Sequence, residues 1–314
     1  MSKYRSRLPQ LSGEVFLTDG GIETSLIFHD GLDLPYFAAF LLLRDAAGRA
    51  TPRRYYTRYA RIARAAGVGF VLESPTWRAS PDWGAKLGYS DAALAHANRA
   101  AIALMRELRA EFEAPGTPMV VSGCVGPRGD GYDPGEVMSP EVAEAYHTQQ
   151  IAAFAEAGAD MVTAITMTNA NEAVGVAGAA QRAGLPVVIS FTLETDGRLP
   201  TAQSLRAAIE QVDAATDRGP AYYMINCAHP THFEEVLSGG AWLERLRGLR
   251  ANASRRSHAE LDAAPDLDAG DPVELGGQYG ALRRRHPQIN VLGGCCGTDH
   301  RHVEQISMAC RAAA

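Results

Sequence analysis

Apolar residues along this chain alternate between two kinds of segment. Short runs rich in β-branched and other apolar residues recur, and each is followed by a longer stretch, rich in Ala, Glu and Arg, whose apolar residues return at helical spacing. A short apolar run is typical of a buried strand, and the longer periodic stretch is typical of an amphipathic helix. The pattern predicts eight parallel strands, each followed by a helix.

The predicted elements cover most of the chain. The strands are Glu14–Thr18, Val68–Glu73, Met119–Cys124, Asp160–Thr166, Pro186–Thr192, Tyr222–Asn226, Leu249–Asn252 and Ile289–Leu292. The helices that follow them are Arg53–Ala66, Asp91–Glu113, Ser139–Ala157, Asn169–Ala183, Ser204–Arg218, Thr231–Leu237, Val273–His286 and Asp299–Ala313.

This repetition favours one closed α/β barrel. Eight strand-then-helix units without a change of composition midway suit a single (β/α)8 TIM barrel over residues 1–314 better than two domains. A doubly wound sheet is the alternative that the same alternation allows. The polar segment Ser254–Pro272 lacks apolar periodicity and follows the seventh strand, on the face where barrel enzymes carry active-site loops. It is either a lid over a site or a plain surface insertion.

Composition and charge exclude some classes of partner. The chain has 314 residues, 46% of them hydrophobic, and a formal net charge of −6. Because its basic runs are short, a nucleic-acid partner is not expected. The first residues lack the apolar core of a secretory signal, and the longest apolar run, Tyr36–Leu43, is too short to span a bilayer. We therefore expect a cytoplasmic protein without a membrane partner; its oligomeric state stays open, a homo-oligomer included.

The cysteines carry the clearest chemical signal. Their number, five, is odd, and two are adjacent, which is typical of reduced thiols rather than of a disulfide scaffold. Cys227 follows the sixth predicted strand, and Cys295 and Cys296 follow the eighth. Because strand ends converge on one face of a barrel, these three thiols can meet around one ion. Cys124 and Cys310 are interpreted as small buried apolar residues.

Three thiolates with a free fourth position are typical of catalytic rather than structural zinc. Three thiolates offset the double charge of Zn²⁺ and leave it a weak Lewis acid, so this ligand set favours binding another thiol over activating water. Glycines on both sides of Cys295-Cys296 permit the tight turn that would aim adjacent sulfurs at one ion. The alternative is that the pair only packs in this turn.

Four motifs resemble those of a known family. They are Leu17-Thr18-Asp19-Gly20-Gly21, Ser190-Phe191-Thr192-Leu193, Asn226-Cys227 and Gly293-Gly294-Cys295-Cys296-Gly297-Thr298. Over nearly its whole length the chain resembles the homocysteine S-methyltransferases, zinc-dependent barrels that include S-methylmethionine- and betaine-using enzymes. The resemblance implies a (β/α)8 fold and zinc ligation by Cys227, Cys295 and Cys296. It also implies methyl transfer from a sulfonium or ammonium donor to homocysteine or a related thiol.

The resemblance also implies substrate-binding residues. Asp19, Gly20 and Gly21 match a turn that helps to hold the amino-acid acceptor in family members, with Asp19 as the partner of its ammonium group. The alternative for Asp19 is that it only caps a turn. Trp77 matches an aromatic residue after the second strand, and its ring face would attract an onium donor. A tryptophan that merely packs in the loop is the alternative.

One position departs from the family pattern. Many relatives carry a glutamate, expected to bind the acceptor's ammonium group, at the end of the fourth strand, where this chain has Ile165. This change leaves open a different thiol acceptor or a relocated acid such as Glu73.

Two other functions fit a zinc-binding barrel. A zinc hydrolase or lyase would be expected to supply histidine or carboxylate ligands at strand ends. A non-catalytic zinc-binding or thiol-sensing protein would bind metal without turnover.

Overall fold

Eight parallel strands close into a barrel in the computed structural model, which describes residues 2–311. The strands pair in chain order, and the first strand also pairs with the last, so that Phe16 lies opposite both Gly69 and Val291. The predicted single (β/α)8 barrel is confirmed, and the doubly wound alternative is wrong because the sheet has no open edge.

The strands are β1 Phe16–Leu17, β2 Gly69–Glu73, β3 Met119–Val125, β4 Met161–Met167, β5 Val187–Thr192, β6 Tyr222–Asn226, β7 Leu246–Ala251 and β8 Val291–Gly294. The helices are α1 Ile22–Thr24, α2 Ala46–Ala66, α3 Pro81–Lys86, α4 Asp91–Phe112, α5 Pro140–Ala157, α6 Ala170–Arg182, α7 Leu205–Ala215, α8 Pro230–Phe233, α9 His258–Asp262, α10 Pro272–Arg285 and α11 His300–Arg311. Among residues 2–311, no helix has both the length and the apolar composition needed to cross a bilayer.

Helix starts agree with the sequence pattern where a capping side chain marks them. Ser139, Asn169 and Ser204 each accept a hydrogen bond from a backbone N–H in the first turn of the helix that follows. By contrast, α2 begins after the cap Asp45, earlier than the predicted start at Arg53. Pro52 lies inside this helix, and its sequence signal resembles a helix start. The last predicted helical positions, 312 and 313, lie outside the described residues.

Strand β8 ends later than the sequence predicts, because its last two residues are glycines, which have no side chain to contribute to an apolar pattern. β8 runs from Val291 into Gly293 and Gly294, whereas the apolar pattern predicts an end at Leu292. Glycine contributes no hydrophobic signal although its backbone pairs normally in the ladder. The difference matters because it brings the backbone of β8 directly up to Cys295.

The lower interior of the barrel is apolar. Buried side chains from seven strands fill it, namely Phe16, Val71, Val120, Met161, Val188, Tyr222, Met224 and Val291. A second, larger apolar layer packs the helices onto the outside of the sheet. Because the lower interior is filled, a cavity can form only towards the carboxyl ends of the strands, where the polar side chains lie.

Candidate metal centre and substrate cavity

The three predicted ligand cysteines converge at the carboxyl ends of β6 and β8. The Sγ atoms of Cys227, Cys295 and Cys296 all lie within 4.8 Å of one another. Within residues 2–311 this is the only group of three or more His, Cys, Asp or Glu side chains with converging ligand atoms. The histidine or carboxylate ligand set that a zinc hydrolase would use is therefore missing from the described residues.

Two of these cysteines lie in direct sulfur-to-sulfur contact. The Sγ atoms of Cys227 and Cys295 meet, with the Cα atoms of the two residues 5.4 Å apart, and Cys296 is a free thiol. This contact arises because the ends of β6 and β8 bring the two backbones together, at a distance that no sequence pattern reveals. The reduced state of the thiols stays a prediction, and it is the state in which all three sulfurs can act as thiolate ligands.

The donor set fits a thiolate-bound zinc ion. Tetrahedral zinc with Zn–S bonds of about 2.3 Å holds its sulfur ligands about 3.8 Å apart. All three sulfurs lie within 4.8 Å of one another, so they are close enough together to share one ion. Burial raises the pKa of the Cys296 thiol, and a bound cation would act in the opposite direction.

The backbone of Cys227 is held in an unusual conformation. Its φ is +53°, in the left-handed region that residues other than glycine rarely adopt. Asn252 Nδ2 donates to the Cys227 carbonyl at 3.1 Å, and His258 Nε2 lies 2.6 Å from the same oxygen. Left-handed backbone costs roughly 1–3 kcal/mol and persists when surrounding contacts determine it. These contacts therefore fix the direction of the Cys227 side chain.

The Cys295-Cys296 turn packs against the start of α1. The Gly21 amide donates to the Thr298 carbonyl at 3.1 Å, and the Gly297 amide donates to Thr24 Oγ1 at 3.2 Å. A Cβ atom at Gly21 would lie 2.5 Å from the Cys295 carbonyl oxygen. Glycine at this position thus permits a close backbone approach, which gives the Asp19-Gly20-Gly21 turn a structural role beside its predicted substrate role.

A cavity of about 280 Å³ opens above the cysteines. Leu261 and Leu267 of the segment Ser254–Pro272 form one wall of the cavity. Phe28 and Phe37 also line it, and both are exposed to solvent. His258 in the same segment contacts Cys227 as described above. The segment is therefore part of the site rather than a plain surface insertion.

Asp19 lies in the cavity wall and already has a cationic partner. Its Oδ1 is 2.8 Å from Nη2 of Arg250, and Tyr55 donates to its Oδ2 at 3.1 Å. Burial raises the pKa of Asp19, while Arg250 and Tyr55 lower it. Its predicted role as the ammonium partner stays a prediction, and an acceptor would share this carboxylate with Arg250.

Glu73 and Ile165 also line the cavity. Thr163 donates to Glu73 Oε1 at 2.8 Å, whereas Oε2 is buried and has no hydrogen-bond partner in the described part of the chain. Burial raises the pKa of Glu73 to about 7, against a lowering effect of Arg250. The side chain of Ile165 brings no charge to the end of β4. Glu73 is thus an acid with one oxygen free to receive a donor.

Trp77 is half-buried in the cavity wall. The guanidinium carbon of Arg78 lies 3.9 Å from its ring centroid and 3.9 Å from that of Trp83, so the cation is held by both rings. A substrate cation cannot occupy the ring face that Arg78 covers. The predicted donor contact of Trp77 is therefore restricted to the rest of its ring.

Among the cavity residues that the sequence-based prediction omits, three carry polar or charged groups close to the site: Tyr132, Glu23 and Arg250. Tyr132 places its hydroxyl 3.5 Å from Cys296 Sγ and stacks its ring on His258 at 3.9 Å. Glu23, in α1, is half-buried in the lining, and burial raises its pKa to about 7. Arg250 is the third, and its signal is visible in the sequence, because it is the one charged residue in the predicted strand Leu249–Asn252.

The fold and site define the class of protein. It is a (β/α)8 barrel with three thiols gathered at its catalytic face. The family model for homocysteine S-methyltransferase matches residues 16–310. The chain belongs to the homocysteine S-methyltransferase family and is a methyltransferase. The hydrolase, lyase and sensor interpretations are left without support.

Solved structures show the same fold. The homocysteine methyltransferase MmuM from Escherichia coli in its oxidized form is 21% identical, with a TM-score of 0.72 over 94% of this chain and 96% of that chain. The metallated form of MmuM gives 21% identity and a TM-score of 0.69 over 96% of each chain. The apo form gives a TM-score of 0.63. At this identity the likeness establishes the shared barrel.

Proposed function

We propose that this protein is a zinc-dependent thiol S-methyltransferase that moves a methyl group from a sulfonium or quaternary ammonium donor to homocysteine or a related thiol. The observation that carries the proposal is the convergence of Cys227, Cys295 and Cys296 within 4.8 Å at the catalytic face of a barrel of this family. Homocysteine is also the substrate named for the solved relative MmuM.

The three cysteines would coordinate the metal, and neighbouring residues would position the cysteines. A bound Zn²⁺ supplies stabilisation of the acceptor sulfur as a thiolate at neutral pH. His258 and Asn252 fix Cys227, and Tyr132 contacts Cys296. These contacts would keep the three sulfurs in place around the metal.

The reaction is a direct displacement at the methyl carbon. A new S–C bond forms to the acceptor as the bond from the methyl carbon to the onium atom breaks, and the donor leaves as a neutral thioether or tertiary amine. The chain contributes alignment of the two substrates and exclusion of water. Leu261 and Leu267 of the segment Ser254–Pro272 provide the apolar wall, and we assign Trp77 to the donor side through its uncovered ring surface.

The proposal also covers the domain organisation and the cellular location of the protein. The match over residues 16–310 supports assigning residues 1–314 to one barrel domain. A thiolate ligand set needs a reducing compartment, which supports a cytoplasmic location.

Reduced protein is expected to contain about one zinc per chain, because three thiolates and one exchangeable position form a single site. It should methylate at least one thiol when supplied with S-methylmethionine, S-adenosylmethionine or betaine. Elemental analysis and mass spectrometry of a thiol panel measure both. Protein purified under reducing conditions without zinc, and without turnover after zinc is added back, would contradict the proposal.

Replacing Ile165 with Glu is expected to shift acceptor preference towards homocysteine by roughly tenfold over 4-mercaptobutyrate, which lacks the ammonium group, because a hydrogen bond to a charged partner is worth about 1.5–3 kcal/mol. Wild type should show little preference between the two, since Ile165 offers the ammonium nothing. The ratio of kcat/KM for the two thiols measures the shift.

Glu73 provides the control for this experiment. If Glu73 already binds the ammonium, Glu73→Gln should lower homocysteine use selectively, and adding Glu at 165 would create repulsion between two carboxylates. If wild type strongly prefers homocysteine and Glu73→Gln keeps that preference, neither Glu73 nor position 165 binds the ammonium group. Asp19 would then be its partner.

A further inference from the structure

Arg250 lies on the strand between the two that supply the cysteines. The register pairs it with Asn226 of β6 and with Gly293 of β8. Its carbonyl accepts a hydrogen bond from the Cys227 amide at 3.2 Å, and its side-chain Nε donates to the Gly294 carbonyl at 3.1 Å. The backbone of Arg250 thus contacts Cys227, and its guanidinium is held by the residue that precedes Cys295.

The guanidinium is buried, lines the cavity and is incompletely paired. Arg250 is only 6% exposed. Its Nη2 donates to the Gly20 carbonyl at 3.2 Å and contacts Asp19, whereas Nη1 is buried without any hydrogen-bond partner among residues 2–311. An unmade hydrogen bond on a buried charge is costly, and a guanidinium has enough donors to hold anions on two of its edges. Nη1 is thus a donor that lacks its acceptor.

Against the lowering effect of burial, Asp19 and Glu73 raise the pKa of Arg250, but among the described residues neither pairs with its Nη1. Glu73 Oε2 is likewise buried without a partner, and no ion pair joins Glu73 to Arg250 within 4.0 Å among the described residues. The other arginine of the cavity, Arg78, is stacked between tryptophan rings and donates to the Gly129 carbonyl. Asp19 neutralises only one edge of Arg250. An acidic group of a ligand can therefore pair with the Nη1 edge.

We propose that Arg250 binds an acidic group of the acceptor, so that the acceptor is a thiol acid whose sulfur lies at the cysteines and whose carboxylate lies at Arg250 Nη1. The position of the sulfur rests on the proposed function, whereas the position of the carboxylate does not. Ile165 offers no charge to an ammonium group, whereas the open Nη1 donor of Arg250 fits a carboxylate. Arg250 is then a specificity-determining residue that touches the substrate.

Three acceptors with three carbons between the sulfur and each charged group separate the contributions in the wild-type enzyme. Homocysteine carries both groups, 4-mercaptobutyrate lacks the ammonium, and 3-aminopropanethiol lacks the carboxylate. With one donor held constant, removal of the carboxylate should lower kcat/KM by roughly 10- to 100-fold, and removal of the ammonium by less. Equal use of 3-aminopropanethiol and 4-mercaptobutyrate would overturn the inference while leaving methyl transfer itself established.

A binding measurement tests Arg250 without metal or turnover. Pentanoate has the carboxylate and length of 4-mercaptobutyrate but no sulfur, and calorimetry can follow its binding to reduced zinc-free protein. Arg250→Gln should weaken pentanoate binding roughly tenfold or more. The matched control is Arg206→Gln, an exposed arginine on α7 paired with Glu210, which should bind as wild type does. Wild-type affinity in folded Arg250→Gln would overturn the inference.

A second variant covers the case in which Arg250→Gln does not fold because Asp19 is left as an unpaired buried charge. Asp19→Asn combined with Arg250→Gln removes both charges of the pair and should fold, with pentanoate binding still lost. A folded double variant that binds pentanoate as wild type does would overturn the assignment. Pentanoate binding without methyl transfer to any thiol would support Arg250 and remove the proposed function.

Discussion

Replacing Cys296 with serine is expected to remove the metal and to lower methyl transfer on the order of 10³-fold, equivalent to several kcal/mol of activation free energy. A serine hydroxyl keeps its proton at neutral pH, so the site would lose one of its three anionic ligands. Cys296 is half-buried and lies beyond the end of β8, so the barrel strands do not depend on it.

Elemental analysis measures the zinc content, mass spectrometry measures methyl transfer, and circular dichroism measures folding, all on one sample of reduced protein. Cys310→Ala is the matched control, because Cys310 is buried in α11, away from the cavity lining. It should keep metal and activity and lose about 1 kcal/mol of stability from the small volume removed. Full zinc and activity in Cys296→Ser would refute the ligand assignment, and loss of the fold would make the site structural.

Gly21→Ala is expected to have the second largest effect, although it adds one methyl group outside the cysteines. The new Cβ would lie 2.5 Å from the Cys295 carbonyl oxygen and 2.6 Å from Thr24 Oγ1. Gly21 has φ −76°, a conformation open to alanine, so the effect comes from contact and not from backbone strain. The Cys295-Cys296 turn must move, and a displacement of about 1 Å near reacting groups can cost on the order of 100-fold in rate.

The expected result for Gly21→Ala is therefore weaker zinc binding together with a loss of kcat, measured by competition with a chelator and by steady-state kinetics. Gly277→Ala is its control, since Gly277 is an exposed residue of α10 where an added Cβ would meet no atom of residues 2–311 within 4 Å. It should leave zinc and kcat unchanged and stabilise the helix by up to about 1 kcal/mol. Unchanged zinc affinity in Gly21→Ala would show that α1 does not position the cysteine turn.

The sequence alone predicted eight strand-then-helix units and the place of the thiols, and barrel closure excluded the doubly wound alternative. Alternating strand and helix periodicities specify eight units, and a cysteine directly after an apolar run must lie at a strand end. Because the ends of all strands in such a barrel open on one face, the convergence of Cys227 with Cys295 follows from topology without knowledge of distances. The apolar periodicity and the position of each cysteine after a strand involve residues close together in the chain, so the sequence is sufficient to predict where the thiols lie.

Only the tertiary structure decided how the charged residues around the thiols are used. The hydrogen bond from Arg250 to the Gly20 carbonyl joins residues separated by 230 positions, and neither local pattern contains information about the other. The same holds for the contact of His258 with the Cys227 carbonyl. Periodicity reports which face of an element is buried, whereas the pairing of buried charges depends on distances set by the closure of the whole barrel.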